Sequence, residues 1–216
     1  MIDRSSIRPA LALVANALTW GLSWLPFRWL ADHGWHPLWA TVLVYSWVIL
    51  GMTCWRPSIW KDLISRPSLG WLVVAAGATN ASFNWAVTTG DVVRVVLLFY
   101  LMPLWAVMLA RWILHEPLSR QALIRVALAL GGAVMVLWPE QAQQWPLPRS
   151  LSDWLGVVGG FSFALNNVML KREAHQPAHA RLLAMFLGGA LLAGLTACVA
   201  GPEVGVQAPA VWQWHT

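Results

Sequence analysis

The sequence predicts an all-α protein, a polytopic transmembrane helical bundle. Three observations carry this expectation. The chain of 216 residues is 58% hydrophobic and 11% charged, against about 25% charged in ordinary soluble domains. Seven apolar stretches, each about 20 residues and so long enough to cross a bilayer, alternate with short loops. The fourteen Lys and Arg residues collect in alternate loops, so the net charge of +5 reflects membrane topology rather than a nucleic-acid face. The lipid bilayer is the expected partner and nucleic acid is not.

Span 1 covers about residues 9–29 and span 2 about 37–55. Ala15-Asn16-Ala17 resembles a signal-peptidase site, but the apolar run before it, Ala10 to Val14, is shorter than the roughly 7–15 residues of a signal core. The first span is therefore read as uncleaved. Span 3 covers about 69–89, span 5 about 121–138, span 6 about 152–170 and span 7 about 181–200. Tryptophans flank several spans, Trp29, Trp35 and Trp39 at one end and Trp55, Trp60, Trp71 and Trp112 at the other, where amphipathic rings favour the interface.

Span 4, about 92–114, organises the chain. Arg94 and Arg111 bracket sixteen uncharged residues, Val95 to Ala110. The whole segment would be about 34 Å long at 1.5 Å per residue, and a hydrocarbon core is about 30 Å. Pro103 sits near its middle. An interior proline costs a soluble helix about 3 kcal/mol, whereas a membrane helix tolerates one when neighbours re-satisfy the freed carbonyl. Trp105 also falls near mid-depth, and Leu109 is expected to face lipid.

Orientation follows from the basic residues. Arg4, Arg8, Arg56, Lys61, Arg66, Arg111, Arg120, Arg125, Lys171, Arg172 and Arg181 fall on one side, and Arg28, Arg94 and Arg149 on the other. The N-terminus is expected in the cytoplasm, with the protein in the inner (plasma) membrane.

Polar residues recur at depth. Span 1 carries Asn16, Thr19, Trp20 and Ser23 on one helix face, span 3 carries Asn80, Asn84 and Thr88, and span 4 carries Tyr100 beside Pro103. Span 6 carries Ser162, Asn166 and Asn167, while Trp47 and Trp105 bring mid-depth N–H groups. One reading is interhelical hydrogen bonding, worth about 0.6 kcal/mol per bond. The other, favoured for the set on spans 1, 3 and 4, is a polar, aromatic-lined cavity. Asp91 and Arg94 read as an interfacial ion pair, with outer gating as a lesser alternative. Glu116, with His115 and Arg120, would cap the turn after span 4. Small residues at Gly156, Gly159 and Gly160, at Gly77 and Ala81, and at Gly189 and Ala193 read as close helix contacts.

Several classes are disfavoured. A retinal protein needs a buried lysine, and Lys61 and Lys171 lie in loops. There is no GxSxG or HExxH motif and no mid-depth carboxylate pair, so an intramembrane enzyme is not expected. Cys54 and Cys198 fall near opposite faces and read as free thiols. His175 and His179 read as solvated loop residues, so neither a metal nor a cofactor is expected.

An internal repeat appears at an offset of about 143. It sets Trp20 on Phe163, Ser23 on Asn166, Trp24 on Asn167 and Arg28 on Lys171. An odd number of spans separates the copies, so their topology is inverted. These features together resemble the EamA-type permeases of the drug/metabolite transporter superfamily. The resembling residues are Trp20-Gly21-Leu22-Ser23, Leu101-Met102-Pro103-Leu104, Glu116-Pro117-Leu118 and Gly131-Gly132-Ala133-Val134. The resemblance implies ten helices in two inverted five-helix repeats around a central substrate cavity. It also implies an activity, the movement of amino acids, other metabolites or drugs, mostly as export.

On that pattern residues 9–138 form one complete five-helix repeat, and 152–216 form the first two helices of a second inverted repeat and the start of a third. The chain is expected to stop early, because the offset sets Thr216 on Val73 and leaves roughly 65 residues of the second repeat unaccounted for. The expected function is a permease for a small-molecule substrate working by alternating access. The alternative is a non-transporting membrane scaffold or an inactive fragment of such a permease, and a homodimer sharing helices stands open.

Overall fold

The computed structural model describes residues 4–22, 24–117, 119–137 and 148–204, and the side chains of Asn16, Trp20 and Ser23 lie outside that description. The described residues form helices and connecting turns, with no strand among them. In chain order the helices are α1 (Arg4–Leu22), α2 (Trp24–Asp32), α3 (Pro37–Trp55), α4 (Ile59–Ile64), α5 (Gly70–Thr89) and α6 (Val92–Phe99), followed by α7 (Met102–Ile113), α8 (Arg120–Leu137), α9 (Leu151–Arg172) and α10 (Ala178–Val204). A short 3₁₀ turn, Pro67–Leu69, leads into α5.

Each expected span has a helical counterpart. Span 2 is α3, with the same ends. Spans 3, 5, 6 and 7 are α5, α8, α9 and α10, each within a few residues of the expected limits. Among the described residues, three segments are long and apolar enough to cross a membrane by length and composition: Pro37–Trp55, Val92–Ile113 and Ala178–Val199. The helix runs unbroken through Ala15–Ala17. Helix α4 was not expected; it is a single amphipathic turn and a half between spans 2 and 3.

Span 4 breaks in the middle. Pro103 has no N–H, so the α-helical bond to the Phe99 carbonyl cannot form. The chain tightens instead: Leu101 donates to the Leu98 carbonyl at 3.2 Å, and Leu104 to the Leu101 carbonyl at 3.0 Å. Helix α6 therefore ends at Phe99 and α7 starts at Met102, with Tyr100 and Leu101 between them.

Glycine and alanine bring α5 into the centre of the bundle, against α9 on one side and α10 on the other. Gly77 on α5 meets the Gly188 main chain on α10, and Gly188 in turn meets the Val73 main chain, so a Cβ on either would collide with backbone. Gly189 receives the Tyr45 ring of α3. On α9, a Cβ at Gly156 would stand 3.0 Å from the Val95 carbonyl oxygen. Gly160 approaches Phe99 in the same way. These contacts match the small-residue spacings in the sequence and supply the close approach that dispersion needs in lipid.

The apolar core at one end joins Leu69, Leu72, Leu109, Ala164, Val168 and Ala184. Leu109 is thus buried, not lipid-facing as expected, because α9 covers that face of α7. Helix α8 stays peripheral, with Leu128 and Met135 exposed.

Helix ends are capped from the sequence. His36 Nδ1 accepts the Leu38 N–H at the start of α3, ahead of Pro37 in the first turn. Ser150 and Asp153 form a reciprocal capping box at the start of α9. After α7, His115 turns through a left-handed φ of 56°, and the Glu116 N–H returns to the Ala110 carbonyl at 3.3 Å.

Candidate functional site

One face of α5 carries Thr79, Asn80, Phe83, Asn84, Val87 and Thr88, spaced by three or four residues and therefore in line along the helix. Two cavities open over this face. The first, about 350 Å³, lies between α2, α5 and α6 and is lined by Arg28, Asp32, Phe83, Asn84, Thr88 and Val92. The second, about 310 Å³, lies over the break in span 4 and is lined by Thr79, Asn80, Phe83, Phe99, Tyr100 and Phe163. Both volumes lie at the low end of the range for small-molecule sites, about 300–1,000 Å³.

The polar groups under the cavities are held by neighbours. Tyr45 Oη donates to Asn80 Oδ1 at 2.5 Å, and Asn80 Nδ2 donates to the Ala76 carbonyl at 2.8 Å. Asn84 Nδ2 donates to Thr41 Oγ1 at 2.8 Å, while that hydroxyl donates to the Pro37 carbonyl at 2.9 Å. Thr88 Oγ1 donates to the Asn84 carbonyl. Asn80 and Asn84 thus combine the two readings: each bonds across to α3, and each borders a cavity.

The other expected positions separate. Tyr100 borders the second cavity and is half exposed. Pro103 lies in the first turn of α7, just past the break. Trp105 packs on the core and meets Phe161 edge-on at 5.6 Å, with its Nε1 buried and without a hydrogen-bond partner. Asn166 is buried, with Oδ1 likewise unpartnered. Trp47 points outward, 66% exposed. The side chains of Asn16, Trp20 and Ser23 fall outside the described residues.

Charged groups at the helix ends pair differently from the sequence expectation. Asp91 caps α6, its Oδ1 accepting the Arg94 main-chain N–H at 2.9 Å. The Arg94 guanidinium reaches Asp153 on α9 instead, Nε to Oδ2 at 2.9 Å. Glu116 forms an ion pair with Lys171 at the far end of α9. His179 is drawn into a cluster in which its Nε2 lies 2.8 Å from Asp62 Oδ2, beside Arg66 and Arg56.

Sequence reasoning missed Arg28, Asp32 and Phe83 at these cavities, and Thr41 and Tyr45 as the partners of Asn84 and Asn80. Thr41 and Tyr45 stand four apart on span 2, a polar spacing that was open to detection. Phe83 is one apolar residue in an apolar span, and only the fold singles it out.

A family model described as the EamA-like transporter family matches residues 7–138. A Pseudomonas aeruginosa protein described as uncharacterized transporter PA0485 is 28% identical over 142 residues, which is 64% of this chain and 42% of that protein. The chain therefore spans less than half the length of that relative. No solved structure matches.

Proposed function

The chain belongs to the EamA-like transporter family, and from that premise we propose that it forms the wall of a path for small organic solutes along α5 and α6. The observation that carries this reading is the alignment of two cavities over one polar, aromatic face of α5, beside a broken span. Broken helices in transporters occur where backbone lines a cavity. The solutes are small metabolites, amino acids or drugs, and export is the direction. Alternating access between two inverted repeats is the mechanism, with α9 and α10 beginning the second. In this reading the protein sits in the inner membrane with its N-terminus in the cytoplasm, and the distribution of Lys and Arg among the loops supports that orientation.

The test is transport by the purified chain in vesicles loaded with a panel of labelled amino acids. Asn80→Ala, Asn84→Ala and Tyr100→Phe are expected to lower the rate per folded molecule, and Leu128→Ala on exposed α8 to leave it unchanged. If the cavity variants only lower the yield of folded protein, a packing role takes their place. That second reading, a non-transporting scaffold, is favoured by the hydrogen bonds that already satisfy Asn80 and Asn84.

A further inference from the structure

Among the described residues, Phe83 is the one common to both cavities. Its position along α5 explains why. Thr79 and Asn80 lie one turn to one side, under the second cavity, and Asn84, Val87 and Thr88 lie to the other, under the first. From Thr79 to Thr88 the helix rises about 13 Å. Helix α6 keeps the same order, with Val92 at the first cavity and Val96, Phe99 and Tyr100 at the second. The two cavities are thus stacked end to end, and an aromatic ring stands at their junction.

The ring is braced. Phe83 packs against Phe99 with centroids 4.7 Å apart, and Phe99 against Phe163 of α9 at 5.4 Å. The Phe99 main chain lies against Gly160, which sets the ring in this position. The row Phe83–Phe99–Phe163 therefore links α5, α6 and α9 across the bundle. On either side of it the α5 face is polar, Asn80 beyond and Asn84 before. Both chambers are mainly apolar, but each carries polar α5 groups, Thr79 and Asn80 in one and Asn84 and Thr88 in the other. An apolar constriction between them blocks water and solute by dewetting.

We infer that the Phe83 ring, backed by Phe99, is the barrier between the two chambers, and that its displacement joins them into one path. This rests on the cavity reading above. Phe99 ends α6 at the span 4 break, so a change of angle between α6 and α7 would move the backing ring directly. Neither motion requires a titrating group.

The test uses the full chain in membranes, with Cys54 and Cys198, both exposed thiols, replaced by serine. Thr88→Cys reports the first chamber and Tyr100→Cys the second. A membrane-impermeant charged thiol reagent is applied to each face in turn, and the face from which Thr88→Cys reacts is the one used. From that face Tyr100→Cys is expected to react on the order of tenfold more slowly than Thr88→Cys, about 1.4 kcal/mol in the access barrier. Adding Phe83→Ala should bring the two rates together, and Phe83→Leu, which keeps more bulk, should give an intermediate rate. Phe161→Ala, which removes a ring that packs on Trp105 instead, should not. Equal rates with Phe83 in place overturn the barrier while leaving the path intact. An unchanged slow rate in well-folded Phe83→Ala and Phe83→Leu protein does the same. If neither cysteine reacts from either face, the cavity reading fails together with the barrier.

Discussion

Arg94 Nε lies 2.9 Å from Asp153 Oδ2, and this contact ties α6 to the first turn of α9. The Asp153 side chain is 5% exposed and that of Arg94 is 34%. The same carboxylate oxygen accepts the main-chain N–H of the N-cap residue Ser150 at 3.4 Å and that of Arg149 at 2.9 Å, so Asp153 serves a cap and an ion pair together. At the other end of α9, Lys171 pairs with Glu116 beyond α7. Span 4 and α9 are therefore strapped at both ends, with glycine contacts between.

Asp153→Ala is expected to destabilise the fold more than Glu116→Ala. Breaking a fully buried pair costs about 3–5 kcal/mol, and exposed pairs are worth at most about 1 kcal/mol. With Asp153 buried and Arg94 a third exposed, the cost should fall between the two. Glu116 and Lys171 have side chains 42% and 63% exposed. Equilibrium unfolding in mild detergent measures both. A double-mutant cycle of Arg94→Ala with Asp153→Ala should show clear coupling, and additive effects would sink the strap.

Glycine substitutions should sort by what stands opposite each glycine. At Gly160 a Cβ would stand 2.5 Å from the Phe99 carbonyl oxygen, which is backbone and cannot swing aside. Overpacking of this kind costs about 1–3 kcal/mol. Gly188→Ala, against the Val73 main chain, should cost at least as much. Gly131 and Gly132 on α8 have open space around them, so Gly132→Ala should be neutral or stabilising. Unfolding midpoints of the three variants decide it, and a destabilising Gly132→Ala beside a neutral Gly160→Ala would contradict the packing described.

The helices were legible because membrane spans announce themselves by length and apolarity, and Pro37–Trp55 shows this with matching ends. Pro103 signalled a disturbance in span 4. What the sequence did not show is that the Phe99 main chain beside the break packs against Gly160 of α9. Asn80 and Asn84 stood out as polar residues at depth. Their pairing with Tyr45 and Thr41 did not, since pairing across helices is set by the α3–α5 register. Asp91 and Arg94 are three apart in sequence, which made a local ion pair the natural expectation. Only the packing of α9 reveals that Asp153 is nearer the guanidinium. Leu109 was assigned to lipid because an apolar residue in an apolar span carries no mark of the face it uses.

Asn84→Ala should separate cavity function from folding. Its amide donates to Thr41 Oγ1, but the Thr41 hydroxyl keeps its own bond to the Pro37 carbonyl. The substitution leaves no orphaned donor on Thr41, so the folding cost should be near the roughly 0.6 kcal/mol typical of interhelical bonds in membranes. A cycle with Thr41→Val, followed by unfolding, measures the coupling. A loss of several kcal/mol would mean that Asn84 is chiefly structural.

Asp62 should make the junction of α4 with α10 sensitive to acid. Its carboxylate is 2.8 Å from His179 Nε2 and 3.1 Å from Arg66 Nη1, with Arg56 Nη2 at 3.6 Å. The hydrogen bond to His179, then that to Arg66, holds the Asp62 carboxyl below its ordinary value of 3.8. A carboxyl whose folded value is depressed binds its proton more weakly in the folded state. Its stabilising contribution is therefore full above the ordinary carboxylate range and disappears as pH falls through the lowered value. The difference in unfolding midpoint between the native chain and Asp62→Asn should be present at about pH 5 and shrink below about pH 4. Thermal unfolding in detergent across that range measures it. A difference that persists undiminished at about pH 3, or no difference at neutral pH, would show that the cluster contributes nothing through the Asp62 charge.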